Sequence, residues 1–341
     1  RVRILSFLVS ALTVWIFMHA YVFWKLISTP PVAARLSRVM LIFGALALGT
    51  AFPLSRILYS RGLDAAAKPL EIIGGNWIGI LFLLLCVFLV ADGVTLGGYL
   101  FPKRAPEMRS WAVAAALALS VIALIQGLRT PIVHDYEVEI EGLPEERTGL
   151  VLAGISDTHL GTMTGPRWMK RVVDRVNDIR PDIVVVLGDI VEGDHNRDEA
   201  FLPVLRSIQA PLGVWAVTGN HEYYGGLDRS VRLFEKAGYT VLRDRWFEVV
   251  PGLTLAGVDD LTARRDSVRN GQAVDKALSN HPEGAVILLS HTPRNADRAA
   301  AAGANLMLSG HTHNGQIWPF NHIVRLFYPM TAGRYQTGGM T

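Results

Sequence analysis

The chain has 341 residues, half of them hydrophobic, with 33 Lys and Arg against 30 Asp and Glu for a formal charge of +3. The charge is unevenly divided: the first 130 residues hold 12 basic against 4 acidic side chains, leaving 21 against 26 for the remainder. The sequence pI of about 9.0 therefore describes the N-terminal region, and the acidic remainder gives a nucleic-acid-binding protein no electrostatic footing. The single cysteine, Cys86, excludes a disulfide framework.

Four stretches without a charged side chain come first, at residues 4–24, 39–55, 72–91 and 110–128. Each is long enough, or nearly so, to cross a hydrocarbon core of about 30 Å. A buried soluble helix could account for one such stretch but not for four in succession. Residues 1–130 are thus expected to form an α-helical transmembrane bundle, multi-pass in a plasma or inner membrane. A cleaved signal peptide would not explain the later segments. The second stretch is the shortest and contains Pro53, so three spans is the fallback. Trp15, Trp24, Trp77 and Trp111 mostly fall near the expected span ends, as interfacial aromatics do. With four spans, Lys and Arg divide six against six between the two sides; Arg1 and Arg3 weakly favour a cytosolic start.

Residues 129–148 are rich in acids and contain Pro131 and Pro144. Alternation within 133–140 predicts the first strand of a second domain, 131–341, leaving a tether of only a few residues. Five short apolar runs then read as buried strands: 150–156, 183–187, 214–218, 285–290 and 305–309. Helices are expected between them, at Pro166–Ile179, where proline suits a first turn, and at 198–208. Each strand ends in a string of metal-type residues: Asp157-Thr158-His159, Gly188-Asp189, Gly219-Asn220-His221-Glu222, Ser290-His291-Thr292 and Gly310-His311-Thr312-His313. In open α/β sheets ligands bind outside the carboxyl ends of strands, so the five strings should converge at one sheet edge. Any one string is common by chance; five in order, each closing a strand, are not.

In that order the strings resemble the motifs of the calcineurin-like metallophosphoesterase superfamily, over roughly residues 133 to 341. The resemblance implies an α/β domain built on a β-sandwich flanked by helices. It also implies two divalent metal ions (Mn, Fe, Zn, Co or Ni), one on Asp157, His159, Asp189 and His313, the other on Asp189, Asn220, His291 and His311, with Asp189 bridging. His221, not a ligand in the family pattern, becomes the general acid for the leaving alkoxide. Residues 310–316, GHTHNGQ, look like the GHTHGGQ of a membrane-associated bacterial branch, with Asn314 as the departure. Family members usually continue with further strands after the last string, and the chain begins without Met, so both ends are expected to be truncated.

The residue types suit the chemistry. A carboxylate bridging two divalent ions holds them about 3.5 to 4 Å apart, close enough to share one water and lower its pKa. Neutral imidazoles and the Asn220 carbonyl complete the shells without adding negative charge, so the pair keeps positive charge for a phosphoryl group.

Around the strings, Asp194 and His195 are expected to face the metals, Glu222 and Tyr223 to shape the rim, and Arg264 and Arg265 to form either a phosphate clamp or a solvated loop. His19, His134, His281 and His322 read as structural or surface residues. The expected function is hydrolysis of a phosphoester or pyrophosphate by a membrane-anchored enzyme. A lipid or glycolipid substrate follows from location alone, and no nucleic-acid partner is expected. A nucleotide phosphodiesterase or nuclease of the same fold is the alternative within enzymes, and a catalytically silent metal-binding scaffold is the alternative outside them.

Overall fold

The computed structural model describes residues 2–192, 198–263, 267–317 and 320–341. The chain divides into two compact units, Arg1–Arg129 and Thr130–Thr341.

The first unit is helical: Val2–Ile27, the single turn Pro30–Ala33, Arg38–Ser60, Asp64–Thr95 and Ala105–Gly127. Four of its helical segments are long and apolar enough to cross a membrane: Val9–Ile27, Arg38–Ser60, Asp64–Gly98 and Ala105–Gly127. The fallback of three spans is not needed, because Pro53 lies inside one continuous 23-residue helix that Ser37 caps at its start. A proline costs such a helix one backbone bond, which helix packing and local adjustment accommodate. Val22, Leu81, Leu84, Phe88 and Ala116 form the buried seam. At Gly74 a Cβ would collide with the Phe52 backbone, so glycine sets the close approach of two of these helices.

Several polar groups inside this unit are paired. Lys25 and Asp92 lie 2.6 Å apart, and Tyr21 donates to the same carboxylate. Arg56 and Tyr59 meet Glu71. Trp77 Nε1 donates to His19 Nε2 at 3.0 Å. Trp77 is thereby buried, well inside a helix that runs from Asp64 rather than from residue 72, and is not an interfacial aromatic. Trp24 and Trp111 are exposed.

The second unit contains two four-stranded sheets. In the first, β1 (Leu152–Ile155), β2 (Ile183–Val186), β3 (Val214–Ala216) and β4 (Thr240–Val241) are all parallel. In the second, β5 (Arg245–Val250) runs antiparallel to β6 (Leu253–Gly257), and β6, β7 (Ala285–Leu289) and β8 (Leu306–Leu308) are parallel. Strands β2 and β7 are apolar at every position because both faces are covered: all of Ile183–Val186 and Ala285–Leu289 are buried. Ile183, Val185 and Val217 meet Leu255, Ile287 and Leu289 between the sheets. Val184, Val186 and Ala216 face Met169, Val173 and Phe234 of Pro166–Ile179 and Leu227–Ala237. Ala256 and Val286 face Val274 and Ala299 of Ser267–Leu278 and Ala296–Ala301. The result is a sandwich of sheets with helices outside each.

Two sequence expectations fail here. Residues 133–140 carry no strand: Val138 and Ile140 pack half-buried on the inter-sheet core, which produces the alternation, but no ladder forms beside them. Residues 198–208 are not one helix but a 3₁₀ turn, Asp198–Phe201, and a single α-turn, Leu202–Leu205. Phe201, Leu205 and Ile208 plug the core at near-helical spacing without the length to sustain a helix.

Candidate metal centre

The five strings lie at the carboxyl ends of β1, β2, β3, β7 and β8, and backbone bonds knit them together. Asp157 N donates to Gly188 O, His159 N to Asp189 O, and Leu160 N to Ile190 O, prolonging the β1–β2 pairing into the loops. Gly310 N does the same to His291 O for β7 and β8. The two sheets are tied where His291 Nδ1 donates to Leu187 O at 2.7 Å. Glycines precede the chemistry because the loops touch: a Cβ at Gly219 would strike the Asp189 carboxylate, and one at Gly310 would strike Ser156 and Asp157. Asp157, His159, Asp189, His311 and His313 all have positive φ, between 44° and 71°. Side chains with a Cβ adopt that conformation at a cost, which clusters at functional sites.

The side chains converge in three overlapping groups: Asp157 with His159 and His313; His159 with Asp189 and His221; and Asp189 with His291 and His311. Asp157 Oδ1 lies 3.1 Å from His313 Nε2. Asp189 Oδ2 lies 3.1 Å from His291 Nε2 and 3.9 Å from His159 Nε2, so one carboxylate oxygen faces both halves of the centre. Imidazole nitrogens face one another at 3.1 Å between His159 and His313, and at 3.2 Å between His291 and His311. Asn220 Oδ1 is buried without a hydrogen-bond partner.

These features fit divalent cations. Crowded carboxylates and imidazoles together with an orphaned buried carbonyl are costly unless positive charge sits among them. The field agrees. Burial alone would disfavour the charged form of His291, yet Asp189, Asp157 and Asp260 push its pKa up to about 9. Burial would likewise raise Asp157, but His313, His291 and Ser156 hold it well below the usual carboxylate range. The site is built to hold positive charge.

The second nitrogens of His291 and His311 are also engaged, which fixes tautomer and ring orientation. His291 Nδ1 is on Leu187 O, and His311 Nε2 is on the Tyr328 hydroxyl at 3.0 Å. One carboxylate, Glu192, serves two rings: Oε1 lies 2.8 Å from His159 Nδ1, and Oε2 lies 3.2 Å from His221 Nδ1. For His221 burial works against the imidazolium, but Glu192 and Asp189 outweigh it and raise the pKa.

Glu222 is not at the rim. It is fully buried and accepts backbone bonds from Gly219 (2.7 Å), Asp189 (2.8 Å) and Ile190 (2.8 Å), so it fastens the β3 loop to the β2 loop. Tyr224, exposed, edges onto His221, at 5.6 Å between ring centroids. Asn314 occurs at φ 49°, a left-handed position that asparagine tolerates nearly as glycine does, so GHTHNGQ and GHTHGGQ can trace the same loop. Asp194, His195, Arg264 and Arg265 lie outside the described residues. Sequence reasoning missed Glu192 and Tyr328; the first lies three residues after Asp189 on the same loop, a spacing that could have flagged it.

A strand-end cluster of carboxylate, carboxamide and imidazole between two sheets defines a metal-binding hydrolytic site. The family model for calcineurin-like phosphoesterases matches residues 150–315. A "Transmembrane protein with metallophosphoesterase domain" from Danio rerio is 32% identical over 82% of this chain and 69% of the relative; one of the same name from Bos taurus is 32% identical over 77% and 66%. An "Uncharacterized metallophosphoesterase" from Aquifex aeolicus (strain VF5) is 37% identical over 59% of this chain and 77% of its own length. The chain belongs to the calcineurin-like metallophosphoesterase family, with four membrane-capable helices ahead of its phosphoesterase domain.

Proposed function

We propose that this protein is a membrane-anchored two-metal phosphoesterase, its anchor lying in residues 1–130 and its enzyme in 131–341, acting on a phosphoester or pyrophosphate of a lipid or glycolipid. Asp157, His159, Asp189 and His313 form one metal shell, and Asp189, Asn220, His291 and His311 the other. The observation that carries the reading is Asp189 Oδ2, which faces His159 and His291 from opposite groups, while Oδ1 is held by His221 N at 2.8 Å. Divalent ions bound there act as Lewis acids on the phosphoryl group and acidify the attacking water.

The chain's own groups supply the rest. With Glu192 accepting from Nδ1, the imidazolium of His221 keeps its Nε2 proton for the leaving alkoxide. Glu192 Oε1 also lies 2.8 Å from His159 Nδ1, so one carboxylate sits against both the acid and the ligand shell. Glu222 holds the Asp189 and Asn220 loops at fixed separation.

The test is metal analysis of the purified full chain with hydrolysis of an aryl phosphate, a panel of phospholipids and a panel of nucleotides, with Mn²⁺ and with chelator. Two equivalents of metal and chelator-sensitive turnover are expected. Chelator-insensitive turnover, or a preparation that binds no divalent ion, would overturn the two-metal assignment, and activity on nucleotides alone would remove the lipid.

A further inference from the structure

Beside the metal centre, Ile317 and residues 320–327 turn apolar side chains to solvent. Ile317, Phe320, Ile323, Leu326 and Phe327 are 40, 39, 47, 80 and 71% exposed. The helix Phe320–Val324 continues as hydrogen-bonded turns, with Phe327 N and Tyr328 N both donating to Val324 O. Phe320, Ile323 and Phe327 therefore share one face, with Leu326 adjoining it. A globular domain buries such a face; here it is the opposite side that is anchored. Tyr328 reaches His311 Nε2, Thr312 Oγ1 donates to Thr331 O, and a Cβ at Gly315 would collide with the Asn321 backbone. The stripe is fixed to the loop that carries His311 and His313.

Its charge is one-sided. Residues 320–327 hold Arg325 and no acidic side chain, whereas Arg298 is already paired with Asp275. Arg325 and His322 are exposed on the turns that carry the stripe, and Arg294 lies over the Tyr328 ring at 5.1 Å from its centroid. Exposed Phe, Leu and Ile flanked by cations is the composition of an interfacial membrane-binding segment. A bilayer is also within reach of this chain by construction. The backbone leaving the last membrane-capable helix enters the second unit at Thr130 and first packs on its core at Val138, and the residues between can extend about 30 Å at most.

We propose that residues 320–327 dock in the headgroup layer of a phospholipid bilayer, with Ile323, Leu326 and Phe327 among the upper acyl carbons and Arg325 and Arg294 on lipid phosphates. The phosphoester reaching the metal centre is then one carried by a lipid at headgroup depth, a step that rests on the function proposed above.

The experiment uses the full chain in phosphatidylcholine–phosphatidylglycerol vesicles, in a Cys86→Ala background carrying one environment-sensitive fluorophore at Leu326→Cys or, as control, at Lys170→Cys on an exposed helix face. The Leu326 label is expected to be quenched by doxyl lipid and shielded from aqueous iodide, and the Lys170 label the reverse. Iodide quenching of both labels alike would overturn the proposal. So would shielding of the Leu326 label from both quenchers, the sign of a second copy or another segment covering the stripe. In the same vesicles Leu326→Asp/Phe327→Asp should keep aryl phosphate turnover and lose phospholipid turnover about tenfold or more, through lost effective concentration. Equal loss on both substrates would refute the docking role. Absence of aryl phosphate turnover in the unmodified chain would instead remove the two-metal function and leave the depth result standing.

Discussion

Glu222→Gln isolates what the buried carboxylate contributes. In the native site Oε2 accepts from Gly219 N at 2.7 Å and Asp189 N at 2.8 Å, while Oε1 accepts from Ile190 N at 2.8 Å and, more weakly, from Val191 N at 3.4 Å. An amide has one acceptor oxygen, so it will keep the Gly219 and Asp189 bonds and turn its NH₂ toward Ile190 N. One buried donor then faces another, costing about 2–4 kcal/mol, against a domain stability of only about 5–15 kcal/mol. Alanine would orphan all four donors and risks leaving no folded domain, which is why glutamine is the informative change. The assay is hydrogen exchange by mass spectrometry on the peptide spanning Asp189 and Ile190, together with metal content. Protection there should fall roughly 30- to 1000-fold, the same energy read as a rate, with bound metal decreasing because Asp189 moves. Native exchange, metal content and rate in Glu222→Gln would refute the view that this carboxylate positions the bridging aspartate.

Asp189→Asn should abolish turnover and deplete bound metal, since a neutral amide cannot balance two cations; two full equivalents retained at normal rate would remove Asp189 from the bridge. His221→Ala should retain metal and lose about 10²- to 10⁴-fold in rate, less with an aryl than with an alkyl leaving group. Equal deficits on both substrates would contradict an acid role. In the helical unit, Asp92→Ala strands Lys25, whose side chain is 3% exposed, and should destabilise the detergent-solubilised chain by about 3–5 kcal/mol. Lys25→Met/Asp92→Leu should cost less because both charges leave together; thermal unfolding that places the double variant below the single one would refute a buried pair.

Parts of this fold were legible because the determining physics is local. Strands β1, β2, β3, β7 and β8 are short apolar runs stopped by polar strings, and they were read to within two residues at each end. Helix Pro166–Ile179 announces itself by proline at the first turn and Met169, Val172, Val173 and Val176 on one face. β4 is two residues long, and β5 faces solvent along much of its length, so neither carries the pattern of a covered strand. Residues 133–140 show the opposite failure: half-burial against another element's core mimics strand alternation, and only the presence or absence of a neighbouring ladder tells the two apart.

The same division runs through the candidate site. The residues offered as ligands sit in short strings and could be read from sequence, but what holds them acts across the chain. Glu222 fixes Asp189 from 33 positions away, Glu192 joins His159 to His221 from 29 positions before the latter, and Tyr328 buttresses His311 from 17 positions after it. Spacing of that kind records no contact. Backbone conformation was equally silent, since nothing in an Asp or His letter announces a positive φ. Yet Asp157, His159, Asp189, His311 and His313 share it, and the bonds from Asp157 N, His159 N and Gly310 N hold the loops in that shape. A left-handed residue at a strand end swings its side chain off the direction the strand would have imposed. Five such turns let side chains from strands of both sheets point into one volume. The strain is therefore the geometric cost of convergence, borne at the residues that converge and offset by backbone bonds between loops that only the complete sandwich brings together.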